Sequence, residues 1–269
     1  MRGRYKPGLP ARPVSLPRMA TCRKLSRLIC GRFASRGRLQ PTRRLRIGPE
    51  IKVFYETDKN NHGLKYNPFK SICVPRPIAW ISSLSKEGVL NIAPFSQFTN
   101  LSYDPPMIVF SASNRPGGAT HKDTAQNIFD TQEFVVNMAT WELRDEVEIT
   151  AQGVGPEVDE ASLAGLAMVP STMVKPPRIE KSPVQMECRY FSSMTVPGNH
   201  GPHHLIVGRV VGIHIKDEVI GADGKIDILK IRPLARLGYL DYTSVEAFFT
   251  IVPKGADAEA SARGRAGQV

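Results

Sequence analysis

Short apolar runs separated by turn-forming residues make up most of the chain after residue 50. Ile78–Leu84 and Val89–Phe95 are rich in β-branched and aromatic residues, and the turn Lys86-Glu87-Gly88 lies between them. This spacing and this turn chemistry predict a β-hairpin. Pro94 has no N–H to give to a strand ladder, so we expect the far end of the hairpin to lie at a sheet edge or a bulge.

Further runs of strand length follow, namely Pro106–Ala112, Glu133–Met138, Pro183–Tyr190, His203–Ile215 and Ile226–Ile231. Helical character is confined to Thr120–Thr131, Trp141–Ala151 and Val158–Leu166. Because the strands do not alternate regularly with helices, a doubly wound parallel sheet is disfavoured. Many short strands with few helices predict a mainly β fold, a β-barrel with a few helices.

The formal net charge of +11 is concentrated near the N-terminus. Residues 1–49 contain 14 Lys and Arg and no acid, which leaves 22 bases against 25 acids and a net charge of −3 in the remainder. The body is therefore mildly acidic and offers no general basic surface to a nucleic acid. We expect one domain at 51–253, between a basic, disordered extension at 1–50 and a disordered tail at 254–269.

The basic extension has three interpretations. An Arg-rich, Ser-rich and acid-poor segment is typical of a mitochondrial targeting peptide. Its charge alone also suits an arm for a nucleic acid or another acidic surface. We favour a disordered extension without a role, which goes with a cytoplasmic location; a mitochondrial location is the alternative.

The apolar runs and the cysteines exclude two classes of protein. No run approaches the roughly 18 apolar residues of a membrane-spanning helix, so we expect no membrane insertion. The four cysteines contain no Cys-x-x-Cys pair, so their spacing does not favour a zinc site. This usage indicates a reduced intracellular protein in which Cys73 and Cys188 are small buried apolar side chains.

Polar side chains interrupt the predicted hairpin. Ser82, Ser83, Asn91 and Ser96 place donors and acceptors beside a strand edge, and Pro94 releases backbone groups from the ladder. The pyrimidine edge of a flavin, with its alternating acceptors and donors, can pair with such groups. Taken singly, each polar residue is better explained as the outward-facing position of a half-exposed strand.

The cluster Lys122-Asp123-Thr124 follows a flexible Gly-Gly pair and lies in the first turn of a predicted helix. Free N–H groups at that position favour an anion such as a phosphate, to which Lys122 adds a charge and Thr124 a hydroxyl. Asp123 is expected to cap the helix or to orient Lys122. An ordinary capped surface helix is the alternative.

The histidines at 200, 203 and 204 lack the spacing and the nearby carboxylates or thiolates of a metal site, so no metal is expected. They suit loop structure or contact with a bound pyridine nucleotide. No Walker A run and no G-x-G-x-x-G after a strand occurs. A nicotinamide would therefore bind transiently, on the face of a flavin.

Placed together and in this order, the segments resemble the flavin reductase-like family of FMN-binding split barrels. The matching segments are Asn67-Pro68, Pro75–Ser82, Asn91–Ser96, Asp104–Pro106, Lys122–Thr124 with Asn127-Ile128, Glu133–Asn137, Val158–Glu160 with Ala164–Leu166, Ser182–Cys188, His204–Gly208, and Arg236–Gly238 with Tyr242. They span about residues 51–250. The ordered set is specific, although no single motif is decisive.

The resemblance implies a split barrel of Greek-key type and a homodimer with FMN at its interface. The residues implied to line the flavin are Trp80, Ser82, Ser83, Asn91, Ala93, Pro94, Ser96 and Phe98. Those implied to hold the phosphate are Ser111, Lys122 and Thr124, with Asp123 beside them in the cofactor site, and Arg236 would reach the cofactor from a C-terminal strand. His203 and His204 are expected to contact NAD(P)H. One departure is Arg209, where the family leads us to expect an acid.

The function that follows is an NAD(P)H-dependent flavin reductase, in which a nicotinamide transfers hydride to FMN. The cofactor performs the chemistry, so no residue of the protein is expected to be catalytic. The alternative is a non-enzymatic FMN-holding electron carrier or redox sensor, which would use the same site residues. A flavin-dependent monooxygenase is a candidate partner.

Overall fold

The structure is a computed structural model that describes residues 53–115 and 120–252. The extension predicted at 1–50 and the tail predicted at 254–269 lie outside the described residues. The domain limits 51–253 therefore stay a prediction.

The chain divides into two compact units, residues 1–62 and 63–269. In the described part of the first unit, Lys59 Nζ donates to Glu56 Oε1 at 2.7 Å, and Asn60 adopts a left-handed conformation. All the elements described below belong to the second unit.

The elements of the second unit are mostly strands. In chain order they are β1 (Arg76–Pro77), β2 (Ala79–Leu84), β3 (Leu90–Phe95), β4 (Phe98–Tyr103), β5 (Pro106–Ser113), α1 (Asp123–Thr131), β6 (Glu133–Met138), α2 (Arg144–Ile149), α3 (Glu160–Leu163), β7 (Met168–Val169), β8 (Arg178–Ile179), β9 (Val184–Val196), β10 (His203–Ile215), α4 (Ile228–Ile231), β11 (Leu234–Gly238) and β12 (Asp241–Ser244). Short 3₁₀ turns occupy Pro68–Ser71, Trp141–Leu143 and Asp217–Val219.

The main sheet has seven antiparallel strands in the order β3-β2-β6-β9-β10-β5-β4. Its two end strands, β3 and β4, are consecutive in the chain and are separated only by Ser96 and Gln97. The sheet therefore curls until both of its edges reach the same connection, which makes an open, split barrel. β6 returns from β5 to lie beside β2, a connection of Greek-key type. Two small sheets, β1-β11-β12 and β7-β8, lie outside this barrel.

Strand β2 is buried on both faces, which shapes the whole core. Ala79 and Ile81 belong to the barrel interior together with Phe110 and Phe134. Trp80, on the opposite face of the strand, belongs to a second apolar cluster with side chains of α2 and α3. A strand between two cores cannot show the usual alternation of apolar and polar residues, so its polar residues must find partners inside the protein.

Most of the predicted elements are confirmed with small changes at their ends. The hairpin forms as β2 and β3, and Pro94 lies in an edge strand with an unbroken register opposite Trp80, so the predicted edge is correct and no bulge occurs. α1 begins at Asp123, three residues later than predicted, and β9 continues to Val196. The segment Trp141–Ala151 forms a 3₁₀ turn followed by α2.

Two expectations were wrong. Ile226–Ile231 was predicted to be a strand, but its end forms α4, because the Asp227 side chain accepts the Lys230 N–H and caps a helical turn. Cys73 was predicted to be buried and is exposed, whereas Cys188 is buried as predicted. Local capping in the first case overrides the β propensity of three isoleucines.

Candidate functional site

A cavity of about 160 Å³ opens where the β3 edge faces the start of α1. Its walls come from four parts of the chain that are distant in sequence. They are Asn91, Ala93, Pro94 and Phe95 of β3, Arg115 with Lys122–Thr124 at the start of α1, the loop Thr150–Val154, and Glu160 of α3. The cavity therefore brings together the two segments to which the sequence assigned a flavin ring and a phosphate.

The start of α1 carries the positive electrostatics of the cavity. Lys122 occupies the N-cap position without a side-chain cap, and the first intrahelical bond runs from Gln126 N–H to the Lys122 carbonyl. The N–H groups of the three residues between them precede this bond and carry the positive end of the helix dipole. An amphipathic face with Ala125 and Ile128 in the core holds the helix against β2 and β3. This geometry suits an anion.

Two cations stand beside this helix terminus. Lys122 is exposed, and Arg115 is half-buried in the cavity wall. Asp123 neither caps the helix nor pairs with Lys122, because its carboxylate forms an ion pair with the Arg115 guanidinium. The predicted role of Asp123 was therefore wrong, and the aspartate instead fixes the position of a cation that the sequence did not single out.

A chain of three buried polar side chains crosses the cavity wall. Thr124 Oγ1 donates to Asn91 Oδ1 at 2.7 Å, and Asn91 Nδ2 donates to Glu160 Oε1 at 2.6 Å. The other oxygen of Glu160 accepts the Ile92 N–H at 3.0 Å. Burial raises the pKa of Glu160 above its ordinary value, the hydrogen bonds oppose this shift, and the charge of Asp123 adds to it.

Comparison with known families agrees with this fold. The model of the flavin reductase like domain matches residues 71–235, which is more than half of the chain. The chain belongs to the flavin reductase-like family.

Three proteins illustrate how this member of the flavin reductase-like family compares with others. An uncharacterized protein of Aquifex aeolicus is 40% identical over 196 residues, which cover 73% of this chain and 95% of that protein. The structure of nitrilotriacetate monooxygenase component B from Bacillus cereus is 27% identical, with a TM-score of 0.69 over 75% of this chain and 100% of that one. The structure of 2-nitrobenzoate 2-nitroreductase NbaA from Pseudomonas fluorescens is 26% identical, with a TM-score of 0.65 over 77% of this chain and 99% of that one.

Within this flavin reductase-like chain, three residues predicted to line the flavin lie behind the cavity. Trp80, Ser82 and Ser83 are fully buried, so their side chains do not line it. Trp80 Nε1 donates to Thr150 Oγ1 at 2.9 Å and thereby anchors a wall loop. Ser83 accepts a hydrogen bond from Asn127 Nδ2 at 3.2 Å, which ties α1 to β2. These side chains position the cavity wall from opposite faces of β2.

Ser82 has a similar internal role, because its hydroxyl donates to the Pro177 carbonyl at 2.6 Å and accepts from Asn137 Nδ2. Ser96 and Phe98 lie at the open seam between β3 and β4, and Phe98 packs against the barrel core. Ser111 lies on β5, where its N–H donates to the Gln97 carbonyl. None of these four side chains lines the cavity.

Arg236 and the two histidines are also placed away from the cavity lining. Arg236 lies on β11 with its guanidinium 4.3 Å above the ring of Tyr242. His203 and His204 point to opposite faces of β10, so His203 is exposed and His204 is buried. Burial, with the nearby His121, lowers the pKa of His204. His204 Nε2 is 2.9 Å from Asn114 Oδ1, so this ring has an internal partner.

Sequence reasoning missed three parts of the wall: Arg115, the loop 150–154 and Glu160 as a wall residue. Arg115 lies between two predicted elements, and the loop begins in the last two residues of the predicted helix Trp141–Ala151 and continues beyond it. Among residues 53–115 and 120–252, no group of three His, Cys, Asp or Glu side chains could hold a metal ion. No helix within those same ranges is long and apolar enough to span a membrane.

Proposed function

We propose that this protein is an FMN-binding oxidoreductase that takes hydride from NAD(P)H. The observation that carries the proposal is the cavity itself, in which a strand edge interrupted by Pro94 faces the N-terminus of α1. The membership of the flavin reductase-like family supports the same class of cofactor.

The residues present fit FMN. An anion at the start of α1 would meet backbone N–H groups, the Lys122 ammonium and the Arg115 guanidinium. Ala93 and Pro94, which are half-buried, would face the ring system with backbone and apolar groups. This set would hold a phosphate at one end and a flat polar ring along the strand.

The size of the cavity supports a dimer. A volume of about 160 Å³ is below the roughly 300–1,000 Å³ of pockets that enclose a ligand of this size, so one subunit would hold only part of FMN. The outer face of β5 and β10 carries Val109, Leu205 and Val207, which are only half-buried, and Met194 of β9 lies opposite Leu205 and is exposed. We propose that a second copy covers this apolar face and completes the site.

The bound FMN would supply hydride acceptance, which no amino-acid side chain can provide. The protein would bind and orient the cofactor, through the helix terminus for the phosphate and through β3 for the ring. Trp80 and Ser83 would hold the wall loop and α1 in register with β3, which keeps the geometry of the site fixed. No side chain is assigned a proton-transfer step.

A physiological electron acceptor is proposed from the relatives. One similar structure is component B of a monooxygenase and another is a nitroreductase. We propose that reduced flavin is either passed to a partner monooxygenase or used on a small electron-poor substrate bound at the same site.

The test is an anaerobic absorbance titration of the FMN-loaded protein with NADH and then with NADPH. Rapid bleaching of the flavin band with either nucleotide is the expected result, and the faster one gives the preference. Bound FMN that stays oxidised with both nucleotides would refute the reductase and favour an electron carrier or redox sensor. Failure to bind FMN at all would refute both functions.

A further inference from the structure

Hydrogen bonds link the buried side chains of Thr124, Asn91 and Glu160, and which of these groups donate and which accept depends on whether Glu160 is protonated. The three side chains lie in a row with donor–acceptor distances of 2.7 and 2.6 Å, and each is at least nine-tenths buried. One end, Thr124, lies in the first turn of α1, where the anion would bind. The other end, Glu160, is the titratable group.

When Glu160 is ionised it can only accept hydrogen bonds. It takes one from the Ile92 N–H and one from Asn91 Nδ2, as observed. The amide oxygen of Asn91 must then face Thr124 and take its hydroxyl proton. In this state the Thr124 hydroxyl has no proton left to donate to an anion.

When Glu160 is protonated on Oε1, the same atoms support the reverse direction. The carboxylic acid donates to Asn91 Oδ1, the Asn91 amide turns over, and its Nδ2 donates to Thr124 Oγ1. The Ile92 N–H keeps its bond to Glu160 Oε2. The hydroxyl proton of Thr124 is then free to point into the cavity.

We infer that Glu160 is a positioning residue whose protonation reverses this relay and makes Thr124 a hydrogen-bond donor to the phosphate of FMN. The inference rests on the proposed FMN site. It predicts that tight cofactor binding is coupled to the uptake of one proton by a residue that does not itself contact the phosphate.

The charges around Glu160 act in opposite directions, because the Asp123 carboxylate favours its protonation whereas the Lys122 and Arg115 cations favour its ionised form. Asp123 and Lys122 face it from the start of α1, and Arg115 faces it from the preceding loop. β3 presents no titratable side chain to it, and Asp159 on its own helix is occupied by the N–H groups of residues 161 and 162. Protonation of Glu160 removes a negative charge from an anion site, and burial with Asp123 already raises the pKa of this carboxyl.

The experiment measures the affinity of the full chain for FMN and for riboflavin by quenching of flavin fluorescence, across the pH range in which the protein stays folded. Riboflavin lacks the phosphate, so the ratio of the two affinities isolates the phosphate contribution. In the wild type we expect this ratio to rise about tenfold as the pH falls through the pKa of Glu160, the gain expected for one hydrogen bond to a charged group.

Glu160→Gln is the decisive variant. Its Oε1 can accept the Ile92 N–H while its Nε2 donates to Asn91 Oδ1, so it reproduces the protonated direction at every pH. We expect a high ratio that changes only with the titration of the phosphate itself, which has a second pKa of about 6 and contributes equally in every variant. A wild-type ratio with the same pH profile as Glu160→Gln would overturn the inference.

Two variants at Thr124 test the inference independently, even if Glu160→Gln does not fold. Thr124→Val keeps the shape but has no hydroxyl, so its ratio should lose the change caused by Glu160 and should follow only the titration of the phosphate. Thr124→Ser keeps the hydroxyl and should retain the change caused by Glu160. Equal pH dependence in both would overturn the inference while leaving FMN binding intact. Absence of FMN binding in the wild type would instead refute the proposed function and, with it, the relay's role.

Discussion

Replacing Gly208 with alanine tests how tightly the interior of the barrel is packed. Gly208 lies on β10, and a Cβ at this position would come within 2.4 Å of Phe134 Cζ and 3.0 Å of Phe134 Cε1. Phe134 is fully buried and packs edge-on against Phe110, with ring centroids 5.8 Å apart. The ring would therefore have to shift within a packed core to make room for the new Cβ.

The expected magnitude follows from two opposing effects. Overpacking a well-packed core costs typically about 1–3 kcal/mol. Replacing glycine reduces the conformational entropy of the unfolded chain, which offsets about 0.4–1 kcal/mol of this cost. We expect Gly208→Ala to lower the free energy of unfolding by about 1–2 kcal/mol, measured by urea denaturation with an unchanged m-value.

Two controls isolate the contact with Phe134. Gly153→Ala introduces a Cβ with no neighbouring atom within 4 Å, so we expect no loss of stability there. In a Phe134→Leu background the smaller side chain leaves room, so the cost of Gly208→Ala should shrink. An equal cost in both backgrounds would refute the steric argument.

Two further predictions concern charge. Lys122→Ala should weaken FMN binding about tenfold and leave riboflavin binding unchanged, as measured by flavin fluorescence, because only FMN carries the phosphate. Lys86→Ala, which removes an exposed lysine paired with Asp130 of α1, is the matched control. Equal losses of affinity for FMN and riboflavin in Lys122→Ala would contradict the assignment of Lys122 to the phosphate. Burial acts to raise the pKa of Glu187, but hydrogen bonds from two backbone N–H groups and from His214 lower this pKa overall. The stabilisation by the Glu187 carboxylate is therefore present above the unfolded-state pKa and is lost as the pH falls through the folded-state pKa. Glu187→Gln should therefore flatten the acid side of the stability profile measured by urea denaturation at several pH values, and an unchanged slope would contradict this.

The strands that could be predicted are those whose signal is local. β6 and β10 have the predicted limits because apolar runs and turn residues mark their ends. β4 and β12 were not predicted from the residues, since much of their surface is exposed and their polar residues resemble loop. β11, which is buried at both ends, was not predicted from the residues either. Their strand conformation comes from pairing with distant partners, and no local pattern reports such pairing.

In the candidate site, too, features with a local signal could be predicted from the sequence and features that depend on distant contacts could not. The placement of Lys122 and Thr124 at the start of α1 could be predicted, because the signals that mark the positive end of a helix are local. The placement of Ser82 could not, because a polar residue in a strand looks the same whether it faces solvent or a second buried layer. Glu160 lies 69 residues from Asn91, and only the fold brings the two side chains into contact.

The outer edge of β3 explains both the cavity and the protection of this sheet edge from pairing with a further strand. In an antiparallel ladder alternate residues direct their backbone groups away from the partner strand, and on β3 the Ile92 N–H points away from β2 to Glu160. Pro94, two residues further, lies on the same side and has no N–H, so no further strand can pair there. α3 covers this edge with a carboxyl in place of a backbone ladder, and the space left between α3, β3 and α1 is the cavity. A strand in the position of α3 would remove both the acceptor and the space, and this explains why the candidate site lies at an edge strand that contains a proline.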